Sequence, residues 1–309
     1  MGPEMALAIP SKPSQTVRRD LEGASPSFLV SEPFREPLAA LGLTSLDAVF
    51  AFDGARDLVK PNIGRFRRRL QFEVVPAGSD RPVKVYLKRY SRPPILGQLR
   101  NWLSHHRRRS FARMEHEAAG RLAAAGINTP NTVACGEQWR NLFEHRSFLI
   151  TEQVKDSRSL ESQLPPCFQG PMIPEKQQAR CDFIRRLASF IARFHETGYR
   201  HRDLYLSHIF RSSEGDFCLI DLARASRPFL RRRFQVKDIA QLHYSAPAES
   251  FTRADRLRFY LAYTGRRRLL PRDKAFIRKV VRKAHRMARH NRKRGNRIPF
   301  LGRVTGERQ

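Results

Sequence analysis

The chain has 309 residues, 40% of them hydrophobic, enough for one large domain or a two-lobed one with a real core. Its 59 Lys and Arg against 29 Asp and Glu give a formal net charge of +30 and a pI near 11.3, which calls for an anionic partner or surface: nucleic acid, an acidic membrane face or a phosphorylated glycolipid. No run of eighteen apolar residues exists, which excludes a membrane-spanning helix, and the four cysteines (Cys135, Cys167, Cys181, Cys218) form no C-x-x-C pair, which argues against a zinc site or a disulfide framework and leaves them as small buried or half-buried side chains.

Residues 1–26 are rich in Pro, Ser and charge and have no periodicity, so they read as disordered. The stretch Met1 to Ser31 lacks the basic-then-apolar pattern of a secretion signal, which points to the cytoplasm. Leu38, Leu41, Leu43, Leu46, Val49 and Phe50 predict one or two short helices ahead of the main domain. From Asp57 to Tyr90 the pattern is that of strands. Leu70, Phe72 and Val74 alternate, and Val83, Val85, Leu87 and Lys88 form the next strand after the Gly78-Ser79-Asp80 turn. Lys84 and Lys88 share one face of that strand and Arg89 takes the other. Ile95, Leu99, Trp102 and Leu103 sit among basic residues, an amphipathic segment suited to a membrane interface or to packing on the sheet.

A helix is predicted from Phe111 to Ala125, stopped by Gly126 and carrying Glu115 and Glu117. Phe148 to Val154 reads as a strand, and 155–178 as mixed, with Pro165-Pro166 and Pro171 breaking structure. Arg180 to Thr197 is a clear helix, with Phe183, Ile184, Leu187, Phe190, Ile191 and Phe194 on one stripe. Two more helices, Arg253–Arg268 and Arg272–Arg294, close the domain, and 297–309 reads as a loose tail.

Between these helices lies the stretch that carries chemistry. His201-Arg202-Asp203 is followed five residues later by His208, and the short apolar run Phe217–Ile220 ends in Asp221. The protein-kinase catalytic loop has the form H-R-D-x-x-x-x-N, with a later Asp that holds magnesium. On that template Asp203 is the base facing the attacking hydroxyl, Asp221 holds the metal against the phosphates, and His208 stands where the Asn belongs, as a second metal-side or loop-ordering group. A strand Lys must reach the phosphates and a helix Glu must orient it. Lys88 is the first choice, with Lys84 as competitor, and Glu115 and Glu117 both remain open for the partner. Main-chain groups from Glu152 to Val154 would hold the adenine. No G-x-G-x-x-G is present. Only Gly64 lies between the first strands, with Arg65 or Arg67 as substitutes in charge.

The runs HRDLYLSHIF and IDLARA resemble the Kdo/WaaP family of lipopolysaccharide kinases, relatives of protein kinases, over about residues 55–295. Members carry His where protein kinases carry Asn, in agreement with His208. The resemblance selects Glu115, eleven residues before the Gly-Ile of Gly126-Ile127-Asn128-Thr129-Pro130. It also gives Asp238, in Val236-Lys237-Asp238-Ile239-Ala240, a role in tying down the catalytic-loop backbone, beside the simpler reading of a helix N-cap. Leu222-Ala223 replaces Phe-Gly after Asp221, and Asp238 follows only seventeen residues on, too short an interval for a peptide-docking segment.

What the resemblance implies is an α+β, two-lobed protein-kinase-like fold: a β-rich lobe over 27–154 with its preceding short helices, and a mainly helical lobe over 155–296. It implies transfer of the γ-phosphoryl of ATP, with Mg2+, to a sugar hydroxyl of an anionic glycolipid, at the inner face of the cell membrane. The competing expectation is a basic kinase-like protein that binds nucleic acid or acidic membrane without catalysis, or a kinase of another small molecule or protein. Nucleic acid is disfavoured, because no interleaving of basic and stacking aromatic residues stands out.

Overall fold

The computed structural model describes residues 27–58, 66–168, 173–293 and 299. The segment 1–26, Gly64 and Arg65, Pro171 and the tail beyond 299 lie outside them. The first half is a six-stranded antiparallel sheet in the order β1-β5-β6-β4-β3-β2, built from β1 (Ser27–Val30), β2 (Arg56–Asp57), β3 (Arg67–Val74), β4 (Val83–Ser91), β5 (Thr132–Arg140) and β6 (Phe143–Glu152). Period-two alternation sorts the faces. Leu70, Phe72, Val74, Val85, Leu87, Phe148 and Ile150 point one way and pack with Leu38 of α1 (Arg35–Ala40) and with Leu46 and Val49 of α2 (Leu46–Ala51). Arg67, Arg69 and Lys88 belong to the other face. The pairing sets Arg69 opposite Lys88 and Arg67 opposite Tyr90. β1 had no forewarning in the sequence; it adds an edge strand on β5.

Between β4 and β5 come α3 (Ile95–His105) and α4 (Phe111–Ala124). Ser110 caps α4, its hydroxyl accepting from the Arg113 N–H at 3.1 Å. α4 is the bridge between the halves. Ala112 packs with Tyr90 and Leu149 of the sheet, whereas Ala118 and Leu122 belong to the core of the helical half.

That helical half contains a small sheet, β7 (Ser157–Ser159), β8 (Ile209–Ser212) and β9 (Phe217–Leu219), and the helices α5 (Leu160–Phe168), α6 (Pro174–Glu196), α7 (Arg231–Ser245), α8 (Arg253–Thr264) and α9 (Pro271–Arg292). The whole predicted stripe of α6 is buried, packed on Leu204 and Leu206 of the loop that follows and on Tyr260 and Tyr263 of α8. Two expectations fail here. Pro165 and Pro166 do not break structure: α5 forms across them, and its Leu160, Leu164 and Phe168 are buried in the same core, so apolar burial outweighs the poor helix propensity of the two prolines. Cys167 is exposed, while the other three cysteines are buried.

One buried carboxyl stands apart from the chemistry. Glu144, at the junction of α3, α4 and β6, accepts from the Ser147 hydroxyl at 2.6 Å and the Phe111 N–H at 2.9 Å. Burial outweighs both bonds and pushes it up to about 7. The folded state therefore keeps this proton between the usual carboxylate range and pH 7, where the unfolded chain has lost it, so stability is greatest below the window and falls as pH rises through it. Urea unfolding at pH 5 and pH 8 should show a loss on the order of 3 kcal/mol from this group, and Glu144→Gln should remove that component of the slope.

Candidate active site

The sequence HRD forms a tight loop because α7 holds it from beneath. Asp238 is mid-helix, which overturns the N-cap reading, and its fully buried carboxylate accepts from the His201 N–H and the Arg202 N–H, both at 2.8 Å, with His195 Nε2 at 3.2 Å. Gln241 Oε1 accepts from the Leu204 N–H at 3.1 Å, and Ser245 Oγ from the Leu206 N–H at 3.0 Å. Residues 238, 241 and 245 share one helix face, so a polar stripe of α7 satisfies four backbone donors of the loop. The clamp sustains Arg202 at φ 71°, a left-handed conformation that is uncommon outside glycine. The Arg202 carbonyl accepts from Gln241 Nε2 at 3.1 Å and from Lys237 Nζ. On the far side, Arg200 pairs with Ser226 through two backbone bonds of 2.8 and 3.1 Å.

His201 is buried and its Nε2 bonds the Ile220 carbonyl at 3.0 Å. Burial lowers its pKa, so it is a neutral spacer, stacked on His208 at 5.8 Å between ring centroids. His208 Nδ1 donates to the Asp203 carbonyl at 2.8 Å. In the neutral ring that leaves Nε2 as a lone pair, 3.9 Å from Asp221 Oδ2. Asp221 itself stands at φ 57°, ψ 59°, two residues past the end of β9.

The two halves of the molecule meet on Asp221. Its Oδ1 accepts from Lys88 Nζ and Arg67 Nη2, both at 3.1 Å, and its Oδ2 from Arg69 Nη2 at 2.8 Å. Burial alone would raise this carboxyl; Lys88, Arg67 and Arg69, then His208, outweigh it and hold it well below the usual range. Lys88 also bonds Glu115 Oε1 of α4 at 2.5 Å. Lys84 and Glu117, the competing candidates, lie elsewhere. Lys84 is half exposed, 3.9 Å from Glu73, and Glu117 serves Arg109, Arg113 and Arg121 on the outer side of α4.

Asp203 is held by Arg224, whose Nη1 lies 3.0 Å from both carboxylate oxygens, with Lys237 Nζ at 3.7 Å and Gln241 Nε2 at 3.4 Å. Burial brings the Lys237 ammonium down to about 8, against the pull of Asp203. Two charge clusters result: Lys88, Arg67 and Arg69 against Glu115 and Asp221, and Arg224 and Lys237 against Asp203, with His208 reaching the backbone of one and the carboxylate of the other. Arg67 Nε, Arg69 Nε and Glu115 Oε2 are buried with no hydrogen-bond partner. Unspent donors beside surplus positive charge suit the oxygens of a polyphosphate.

Glu152 and Val154 are not part of this cluster. Glu152 faces Val85 at the end of β6, its N–H donates to the Asn131 carbonyl at 3.0 Å, and the Gln153 N–H donates to the Lys84 carbonyl at 2.8 Å. The Glu152 donor expected for adenine is already engaged.

Residues 63–263 match the family model described as the lipopolysaccharide kinase (Kdo/WaaP) family. The chain belongs to this family. The span contains every candidate from Lys88 to Asp238. Relatives include the lipopolysaccharide core heptose(I) kinase WaaP of Pseudomonas aeruginosa PAO1, 31% identical over 195 residues, which are 60% of this chain and 72% of that protein. The protein of the same name from Escherichia coli K12 is 28% identical over 214 residues, 66% of this chain and 74% of that one. Among solved structures, WaaP in complex with acyl carrier protein superposes with a TM-score of 0.62 at 25% identity, covering 84% of this chain and 99% of that one. The kinase-like fold expected for a Kdo/WaaP member is therefore the fold this chain adopts.

Sequence reasoning missed Arg69, Arg224, Lys237, Gln241 and Ser245. Arg69 was legible in principle, two residues beyond Arg67 on a strand, and Gln241 and Ser245 follow Asp238 at helical spacing. Asp238→Ala strips two buried N–H groups of their acceptor, at roughly 1–3 kcal/mol each. Urea unfolding should show a loss of about 3 kcal/mol or more, whereas an N-cap role would cost about 1 kcal/mol.

Proposed function

We propose that this chain transfers the γ-phosphoryl group of ATP to a sugar hydroxyl of lipopolysaccharide core or a closely similar glycolipid. The carrying observation is that Lys88 reaches Glu115 and Asp221 at once, next to a braced HRD loop. The relatives' names, core heptose(I) kinases, supply the acceptor class. A binding protein without catalysis has no use for the buried Lys88–Glu115 pair or for Asp203. The lobe boundary is proposed at Val154–Lys155, just past β6.

The residues fit the groups this chemistry needs. Asp221 and the Nε2 of His208 would hold Mg2+. No cluster of three or more His, Cys, Asp or Glu able to hold a metal exists among the described residues, so phosphate oxygens and water would complete the shell, as magnesium prefers. When bound, the ion supplies neutralisation of charge on the phosphates. Lys88, oriented by Glu115, and the unspent guanidinium donors of Arg67 and Arg69 would grip the phosphate chain where a glycine-rich loop is missing. Val154 and the residues after it would offer the adenine its main-chain partners, since the Glu152 N–H is engaged. The acceptor oxygen bonds the γ-phosphorus, the bond to the bridging oxygen of ADP breaks, and the hydroxyl proton passes to Asp203. Arg224 must leave Asp203 for the hydroxyl to approach. Its half-exposed side chain can swing to an anionic group of the acceptor.

No helix among the described residues is long and apolar enough to cross a membrane. A peripheral site on the inner face of the cell membrane is the matching proposal. Acyl carrier protein, named with the solved relative, is a proposed partner. An apolar cavity of about 610 Å3 between α6, α7, α8 and α9, lined by residues such as Leu187, Leu242 and Val280, has the lining an acyl chain requires.

Asp203→Ala should lower glycolipid phosphorylation by roughly 10²–10⁴-fold while nucleotide binding, followed by thermal shift, stays within about twofold; full turnover would refute the assignment. Arg69→Ala should weaken binding of a fluorescent ATP analogue by about tenfold, with no change in the melting temperature of the free protein large enough to explain it.

A further inference from the structure

Six of the twelve exposed large apolar side chains among the described residues sit in just two segments. Ile95, Leu96, Leu99 and Leu103 lie on α3. Phe229 and Leu230 lie in the turn ahead of α7. The rings of His106 and Phe229, 4.2 Å between centroids, join the two segments. The side chains are not leftover surface: Leu96 is 81% exposed, Leu103 76% and Phe229 86%.

α3 does not need them for anchoring. Its inner face is fixed by Gln98, whose amide donates to the carbonyls of Pro93 and Glu144 and accepts from the Glu144 N–H. Trp102 adds to this, stacked on Phe143 and donating to the Arg109 carbonyl. The outward leucines are left exposed on this anchored helix. Arg100 and Arg107 on one segment, and Arg231, Arg232 and Arg233 after the other, are exposed and have no carboxylate partner among the described residues. The patch borders the site: Ser226 pairs with Arg200 of the catalytic loop, and the Arg231 carbonyl accepts from Arg200 Nε.

We infer that α3 and the 229–230 turn form one membrane-docking surface, which sets its apolar side chains into the acyl boundary of an anionic bilayer and its arginines onto the headgroup phosphates. This rests on the lipid-linked acceptor proposed above. Apolar insertion combined with several basic contacts is what stable peripheral binding takes. An exposed apolar face rimmed by unpaired arginines matches a bilayer, which is flat, deformable and negative. Because α3 belongs to the sheet half and Phe229 to the helical half, docking would also present the mouth of the cleft to the membrane plane.

The test uses the full-length protein and vesicles of phosphatidylethanolamine and phosphatidylglycerol, in a sedimentation assay that needs no turnover, so it answers separately from the kinase reading. The wild type should bind these vesicles, bind phosphatidylcholine vesicles far less, and lose binding as salt rises. The triple variant Leu96→Ser, Leu103→Ser, Phe229→Ser should bind about tenfold or more weakly. It should still phosphorylate deacylated, water-soluble core oligosaccharide at the wild-type rate, with an unchanged melting temperature. Leu96→Met with Leu103→Met should bind as the wild type does, which separates lost insertion from lost fold. Wild-type vesicle binding by the triple variant overturns the inference. So does loss of turnover on the soluble acceptor, and so does retained vesicle binding with loss of binding to purified acyl carrier protein, which would make the patch a protein-docking face.

Discussion

The structure turns on a charge problem that its own sheet creates. β3 and β4 set Arg69 directly opposite Lys88, with Arg67 two residues away on the same face. Like charges facing each other across a ladder repel, and three cations in a partly buried cleft do so in a medium that screens them poorly. An anion must stand between them, and the anion is Asp221, delivered from the other half of the molecule. The carboxylate makes the cluster tolerable and in doing so fastens the sheet to the helical half. Glu115 completes the balance from α4, the helix that shares both cores.

A second constraint is how a loop carrying chemistry is kept in one shape without a strand or helix of its own. α7 answers it with polar side chains on a face that a helix normally fills with apolar ones. Asp238, Gln241 and Ser245 each take a buried backbone donor or two that would otherwise be orphaned. Leu204 and Leu206 meanwhile point into the helical core. The loop is pinned from one side by hydrogen bonds and from the other by apolar burial. This double hold lets Arg202 and Asp221 keep left-handed backbone conformations, one at each end of the site.

Much of this was legible in the chain. Alternation at Leu70, Phe72 and Val74 and the stripe from Phe183 to Phe194 found a sheet and a central helix, because burial on one face leaves a period behind it. Asp203 and Asp221 at kinase spacing drew attention to the HRD loop and the end of β9, but Lys84 and Lys88, four residues apart on one strand face, were told apart only by the structure, where Lys88 alone meets Glu115 and Asp221. Glu115 over Glu117 came from likeness to a family, since helical periodicity alone gives no view of which Glu faces inward. What stayed hidden was long-range. Arg69 lies 152 positions from the carboxylate it touches, and Arg224 looked like one more surface base in a chain full of them. α5 defeated a local rule, because its core contacts come from segments far away in sequence. Asp238 read as a cap only while the start of α7, seven residues earlier, was unseen.

The hold of Arg224 Nη1 on both oxygens of Asp203 has a further consequence. On the proposed assignment, the carboxylate that deprotonates the acceptor is sheathed by a guanidinium in the resting protein. A stray water reaching the nucleotide would find no available base beside it. On that assignment, idle hydrolysis of the phosphate donor would be held back until an incoming sugar drew the arginine aside, and the contact that looks like an obstacle to turnover would also be its safeguard.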